Sequence, residues 1–152
     1  MSTCQYLLDE FGALIGEALE LDESGVALLE SDGQLLALAP ARLPDGDERM
    51  EALLALEAID LGDAFDQAEL FYTLNRLNHD AVSVHPWRVT LLETDQLALR
   101  ASFHPASIHA EALAQTLNEG FERARGLTAL MQGLRTVERS GDVFLPGHTV
   151  RV

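Results

Sequence analysis

The sequence predicts an α+β protein in which a twisted, mainly antiparallel sheet is covered by helices. Three observations support this class. Segments with helical spacing of apolar residues alternate with short strand-like segments, an Asp-Gly pair separates two of those strands, and 47% of the 152 residues are apolar. A chain of this length and composition can bury its own core, and we expect a single domain over residues 1–134. The predicted order is helix, three strands, helix, two or more strands, helix.

The first helix is predicted from about Gln5 to Leu21, because apolar residues recur there at spacings of three and four with acidic residues between them. A hairpin follows, with strands at Val26 to Glu30 and Gln34 to Ala39. Its turn, Ser31-Asp32-Gly33, is typical of tight hairpins, since both central residues of the favoured turn adopt positive φ. Met50 to Ile59 fits either a strand or a helix by pattern, and we favour a strand.

The second helix is predicted from about Ala64 to Asn78, with Asp60 and Asp63 as candidate N-caps. A second hairpin is expected from Trp87 to Glu93 and from Gln96 to Phe103, turning at Thr94-Asp95.

Pro105 favours the first turn of a last helix, which we expect from about Ala106 to Leu134. Gly120 and Gly126 weaken that helix locally. We interpret residues 135–152 as a C-terminal tail, consistent with a mobile segment.

The chain is strongly acidic, with 25 acidic and ten basic residues and a formal net charge of −15. Such a charge repels phosphate backbones and anionic lipid, which disfavours nucleic-acid and membrane partners. Residues 1–75 contain 17 acidic residues against Arg42 and Arg49, whereas the second half is balanced. This distribution fits either a solvated acidic surface or an electrostatic field that attracts a cationic partner.

The single cysteine, Cys4, cannot form an internal disulfide, which fits a reducing cytosol. The N-terminal segment lacks the cationic and apolar regions of a signal peptide, and no apolar run approaches the roughly 18 residues that span a bilayer. We therefore expect a soluble, cytoplasmic protein.

The sequence contains no recognisable catalytic or metal-binding motif. It has no lysine, no Gly-x-Ser-x-Gly elbow and no glycine-rich phosphate loop. The five histidines include no pair at the i, i+4 spacing of a zinc helix: His79, His85, His104, His109 and His148. The regularly spaced acids from Glu57 to Glu69 lack the glycine of a calcium loop and fit a solvated helix face better. We predict no enzyme activity, no metal and no cofactor, with catalysis by two carboxylates that meet in space as the remaining enzymatic alternative.

The first hairpin carries more apolar residues than a one-sided sheet needs, because both faces of both strands hold leucine or valine: Val26, Leu28, Leu29, Leu35, Leu36 and Leu38. Either helices of the same chain cover both faces, or one face stays open to an apolar partner. The second helix is also apolar over more than half of its circumference, so one side needs cover from either the last helix or the same helix of a second subunit. We favour a homodimer with two-fold symmetry.

These features resemble the class I chaperones of bacterial type III secretion, the Tir chaperone family. The resemblance rests on Leu7 to Gly12 with Ile15-Gly16 on the first helix, the Gly25 to Leu29 strand with its Asp-Gly turn, and a long last helix after the Gln96 to Phe103 strand. It extends over about Gln5 to Leu134.

The resemblance implies an acidic, bacterial, cytoplasmic homodimer that binds the N-terminal region of a secreted effector in extended form, without ATP. It implies client-binding groove residues Phe11, Ile15, Leu28 and Leu36, and dimer-interface residues Phe65, Phe71 and Leu74. An alternative from another class is a small-ligand sensor or regulatory domain with a pocket between the sheet and the helices.

Overall fold

The computed structural model describes residues 2–56, 67–81, 84–92 and 96–140. Its elements are α1 (Thr3–Ile15), β1 (Ala27–Ser31), β2 (Gln34–Arg42), β3 (Glu48–Ala55), α2 (Gln67–Ala81), β4 (Arg88–Leu91), β5 (Leu97–Phe103) and α3 (Ala110–Ser140). The predicted α+β class and the order of the elements are confirmed, and the ambiguous segment that begins at Met50 is a strand as favoured as far as Ala55, while its residues 57–59 lie outside the described residues.

The five strands form one sheet in the order β1-β2-β3-β5-β4, and every neighbouring pair is antiparallel. Side chains alternate between the two faces of such a sheet. One register row crosses all five strands on the inner face: Leu29, Leu36, Leu54, Leu99 and Val89. The adjacent row lies on the outer face: Leu28, Ala37, Leu53, Arg100 and Arg88.

The core lies between the inner face and the two helices α1 and α3, which contact each other and β3. Leu36, Leu54 and Leu99 from the sheet are buried there together with Leu8 of α1 and Leu113 of α3. Because one face of the sheet supplies these residues, the opposite face receives no cover from α1 or α3.

α1 ends at Ile15, six residues earlier than predicted. Gly16 adopts φ 75°, and its N–H donates to the Gly12 carbonyl, as does the N–H of Glu17 at 3.0 Å. A left-handed residue of this kind ends a helix and reverses the chain. Leu19 is still buried, but it packs back onto the core from the following loop, which is why the apolar spacing continued beyond the helix.

α3 begins at Ala110 rather than Ala106. Pro105 lies in a turn in which Ser107 N–H donates to the His104 carbonyl at 3.1 Å. His109 Nδ1 accepts from the Ala112 N–H at 3.4 Å at the start of the helix, a capping role in keeping with the interpretation of the histidines as loop and cap residues. The helix continues to Ser140, so residues 135–140, predicted as tail, are helical.

Several predicted features lie outside the described residues. These are the candidate caps Asp60 and Asp63, the turn at Thr94-Asp95, the acidic series up to Asp66, and residues 141–152 of the predicted tail. The described part of the second helix runs to Ala81, three residues beyond its expected end.

Trp87 anchors the start of β4 against α3. Its ring is 1% exposed, its Nε1 donates to the Thr116 carbonyl at 3.0 Å, and it meets Phe103 edge to face with ring centroids 6.5 Å apart. The ring lies against the backbone of α3 at Gly120, where a Cβ would approach Cζ2 of Trp87 to 2.3 Å. The glycine is therefore required by packing, although in an exposed helix it would only weaken the structure.

We expect His85 to make folding sensitive to acid. Its Nδ1 accepts from the Trp87 N–H at 3.1 Å, and burial, together with Arg123 and Arg88, lowers the pKa of His85 below its ordinary value. The unfolded chain therefore binds a proton more readily, so this contribution to stability is present above about pH 6.5 and is lost as pH falls through the folded-state pKa.

We expect His85→Asn, which keeps an acceptor but does not titrate, to lose less stability on acidification than the wild type. Urea unfolding at about pH 7.5 and about pH 5.5 measures the difference between the two proteins. Equal losses would show that His85 does not contribute to the acid sensitivity.

Candidate functional site

The outer face of the first hairpin is apolar and exposed. Leu28 on β1 is 58% exposed and Leu35 on β2 is 51% exposed, and Ala37 and Leu53 beside them are only half-buried. Of the two arrangements that the sequence allowed for this hairpin, the described residues therefore show the one with an open face. Contiguous apolar surface of this kind is typical of a binding site.

The outer edge of β1 also presents backbone hydrogen-bonding groups. Asp32 (φ 51°) and Gly33 (φ 80°) form a two-residue turn, and Ser31 pairs with Gln34 beside it. Hydrogen-bonded and outward-pointing residues alternate along an antiparallel strand. Because the pair next to such a turn is hydrogen-bonded, the N–H and carbonyl groups of Leu28 and Glu30 point away from β2. We call these groups the open edge.

Asp22 limits the open edge at one end. Its N–H donates to the Val26 carbonyl at 2.9 Å, and its carboxylate accepts from the Val26 N–H at 3.0 Å. Val26 is two residues before Leu28, so its N–H and carbonyl groups also point outward. Asp22 occupies both of these groups, and the open edge therefore ends at Leu28. The Ser24 hydroxyl also donates to Asp22 at 2.6 Å, and this bond, followed by the one from Val26, lowers the pKa of the Asp22 carboxyl.

The other edge of the sheet is occupied. The Asn78 side chain of α2 donates Nδ2–H to the Val89 carbonyl at 2.9 Å and accepts from the Val89 N–H at 2.7 Å, as a neighbouring strand would. Within the described ranges, β1 is thus the edge that offers two successive outward residues without a partner strand or side chain.

A groove of about 700 Å³ lies along α1. One stripe of the helix lines it, followed by the loop that leads to Asp22: Gln5, Asp9, Gly12, Ala13, Gly16, Glu17, Ala18, Leu19, Glu20 and Leu21. A Cβ on Gly12 would lie 2.6 Å from the Glu17 carbonyl oxygen, so glycine allows the loop to pack on the helix. We call this feature the α1 groove.

The surroundings of both features are acidic. The α1 groove contains Asp9, Glu17 and Glu20, and β1 presents Glu30. In the part of the chain that the structure describes, none of these four carboxylates forms an ion pair with an arginine. By contrast, the outer face further along the sheet is internally paired, since Arg100 contacts Glu51 at 3.2 Å.

The predicted groove residues occupy different environments. Phe11 (4% exposed) and Leu36 (0%) lie in the core of the protomer, whereas Ile15 (41%) and Leu28 (58%) are at the surface. None of the four lines the α1 groove. Their role in binding stays a prediction, and only Ile15 and Leu28 are accessible to a partner in this structure.

The predicted dimer-interface residues are described only in part. Leu74 is 7% exposed and belongs to the core of its own protomer. Phe65 and the side chain of Phe71 lie outside the described residues. Tyr72 on the same helix, which was not among the predicted residues, is 68% exposed.

The groove could have been found from the sequence by one signal. Gly12 and Ala13 on α1, and Gly16 directly after its end, carry no bulky side chain, which allows another segment to approach the helix closely. No comparable signal in the sequence indicates the roles of Asp22 and Asn78, because each side chain bonds to a backbone segment whose position depends on the fold.

The described residues contain no group of three or more His, Cys, Asp or Glu side chains placed to hold a metal ion. Among the helices that the structure describes, none is long and apolar enough to cross a membrane. The geometry offers open hydrogen-bonding groups, exposed leucines and a groove, which are features suited to binding an extended polypeptide.

No family model matches the sequence, and no curated protein sequence matches it. Several solved structures do match in fold. The ExsC–ExsE complex gives a TM-score of 0.66 at 26% identity, over 84% of this chain and 92% of the matched chain. The HopA1–SchA chaperone–effector complex gives 0.63 at 21% identity, over 84% and 94%. The Yersinia pestis type III secretion chaperone SycH, in complex with a stable fragment of YscM2, gives 0.63 at 20% identity, over 82% and 98%. The chain therefore has the fold of the type III secretion chaperones.

Proposed function

We propose that this protein is a type III secretion chaperone that binds the N-terminal region of a secreted effector in extended form and keeps it soluble and competent for export. The fold supports this function, and two of the similar structures are described as a chaperone bound to an effector and a chaperone bound to a protein fragment. The observation that carries the proposal is the open edge of β1 beside the exposed Leu28 and Leu35.

The open edge suits an extended client because a strand added there gains hydrogen bonds from the backbone of Leu28 and Glu30. The side chains of the added strand that lie on the outer face can then bury apolar surface on Leu28 and Leu35. Burial of this kind contributes about 25 cal/mol per Å² of apolar area. Affinity thus comes from the backbone and from apolar contacts.

Ordering a client costs about 1–2 kcal/mol per residue, so a short contact alone binds weakly. The α1 groove provides a second contact, and the loop that lines it leads into β1. A client that occupies both surfaces spreads its binding free energy over a longer segment. In this proposal binding is an equilibrium that requires neither ATP nor a covalent step.

We also propose a homodimer through the second helix. Tyr72 is a large, exposed aromatic side chain on α2, and a second copy could bury it with self-complementary contacts. Phe65 and Phe71 stay proposed interface residues. Leu74 is already buried in its own protomer, so we expect it to support the helix from within.

The test is co-purification with the N-terminal region of an effector-like protein encoded by the neighbouring reading frame. We expect Leu28→Asp to weaken capture by about tenfold or more, because it replaces the burial of a leucine, worth about 1.5–3 kcal/mol, with a charge. Leu43→Asp is the matched control, since Leu43 is an exposed leucine in the turn between β2 and β3.

Both variants should keep the wild-type circular dichroism spectrum and, by light scattering, twice the mass of one chain. Unfolding of Leu28→Asp would mean that Leu28 is a core residue. Equal capture by the wild type and a folded Leu28→Asp would contradict the proposed binding surface.

A further inference from the structure

The alternation of side chains determines what an added strand meets at β1. Leu28 and Glu30 both lie on the outer face, with Leu29 between them on the inner face. In a strand paired with the open edge, the residues opposite Leu28 and Glu30 are therefore two positions apart and share the outer face. One of them lies beside a leucine and the other beside a carboxylate.

Glu30 has no described partner for its charge. Its cross-strand neighbour on β2 is Leu35, and no arginine among the described residues pairs with it. Two residues further along the chain, in the turn, Asp32 lies 3.9 Å from Arg125. A basic residue opposite Glu30 would supply the missing charge, whereas an acidic residue would be repelled.

The α1 groove also favours basic residues in a client. Asp9, Glu17 and Glu20 line it without a described basic partner. A client that also contacts this groove meets further carboxylates. Charge complementarity thus favours a cationic segment at both surfaces, and electrostatic attraction also accelerates its encounter with the protein.

We propose that β1 selects client strands in which an apolar residue and an arginine or lysine stand two positions apart, the apolar residue opposite Leu28 and the basic residue opposite Glu30. This inference rests on the proposed function, because it assigns the chemistry of the client at the same surface. It makes Glu30 a specificity-determining residue. The order of the two client residues also reports whether the added strand runs parallel or antiparallel to β1.

Selection from a phage-displayed library of random peptides tests the inference. The full-length wild type, Glu30→Lys and Asp80→Lys are used as targets. Asp80 is an exposed acid on α2, at the opposite edge of the sheet, so it controls for the change in net charge. We expect the wild type and Asp80→Lys to enrich apolar and basic residues two positions apart, and Glu30→Lys to enrich acidic residues at the basic position.

Affinity is then measured by fluorescence anisotropy with one labelled peptide from the wild-type selection. Glu30→Lys should weaken its binding roughly three- to tenfold, because it turns an attractive cross-strand pair into a repulsive one. A peptide whose basic residue is replaced by glutamate should show the opposite order of affinities. High salt should reduce both differences.

Two results would overturn the inference in different ways. If the wild type enriches peptides whose binding requires Leu28 but Glu30→Lys leaves their charge preference unchanged, the charge selection is wrong and the proposed function stands. If no peptide is enriched, or if the enriched peptides bind Leu28→Asp equally well, the proposed binding surface fails together with the inference.

Discussion

Gly120→Ala is expected to destabilise the protein by about 1–3 kcal/mol or more, although alanine is the better helix former by about 1 kcal/mol. The added Cβ would lie 2.3 Å from Cζ2 and 2.5 Å from Cε2 of Trp87. If the indole moved away, it would lose the hydrogen bond from its Nε1 to the Thr116 carbonyl and the contact of its ring with Phe103. Urea unfolding followed by circular dichroism measures the change.

Gly126→Ala is the matched control on the same helix. Nothing lies within 4 Å of a Cβ built at Gly126, so alanine should stabilise the protein there by up to about 1 kcal/mol. Trp87→Leu provides the second control: in that background Gly120→Ala should become neutral or stabilising. If Gly120→Ala lowers the free energy of unfolding equally in the wild type and in Trp87→Leu, contact with Trp87 is not the cause.

Leu36→Ala is expected to lower the free energy of unfolding by about 2–5 kcal/mol. Leu36 is 0% exposed and lies in the inner register row, between Leu29 of β1 and Leu54 of β3. Truncation leaves a cavity that the neighbouring strands cannot fill without breaking their register. Since domains of this size are stable by about 5–15 kcal/mol, the loss is a large fraction of the total.

Leu35→Ala, at the next residue, should change stability by less than about 0.5 kcal/mol, because Leu35 is 51% exposed on the outer face. The same chemical change at adjacent positions therefore tests which face of the hairpin is buried. Equal losses at Leu35 and Leu36 would mean that something covers the outer face as well.

Local signals in the sequence predicted most of the fold. The hairpin at Asp32-Gly33 was predicted because two residues with positive φ are sufficient to reverse the chain. The end of α1 was missed because Leu19 preserves the apolar spacing although Gly16 ends the helix. The start of α3 was missed because Pro105 suits a turn as well as a first helical turn.

The binding surface was predictable only in part. Leucines occupy both faces of the hairpin, and a sequence cannot show which face the helices cover. Leu28 and Leu36 were therefore predicted for the same surface, whereas the structure places one outside and the other inside. The bonds from Asn78 to Val89 join residues 11 positions apart across α2 and β4, so they arise from tertiary packing and not from a local pattern.

The open edge of β1 has a further consequence at high protein concentration. An unpaired strand edge can pair with a strand edge of another molecule, and fibrillar aggregates grow by such pairing. When two molecules pair antiparallel through their open edges in the register that places Glu30 opposite Glu30, the two carboxylates lie side by side on one face and repel each other. The glutamate that we propose to attract a foreign strand would thus also disfavour this pairing between two copies.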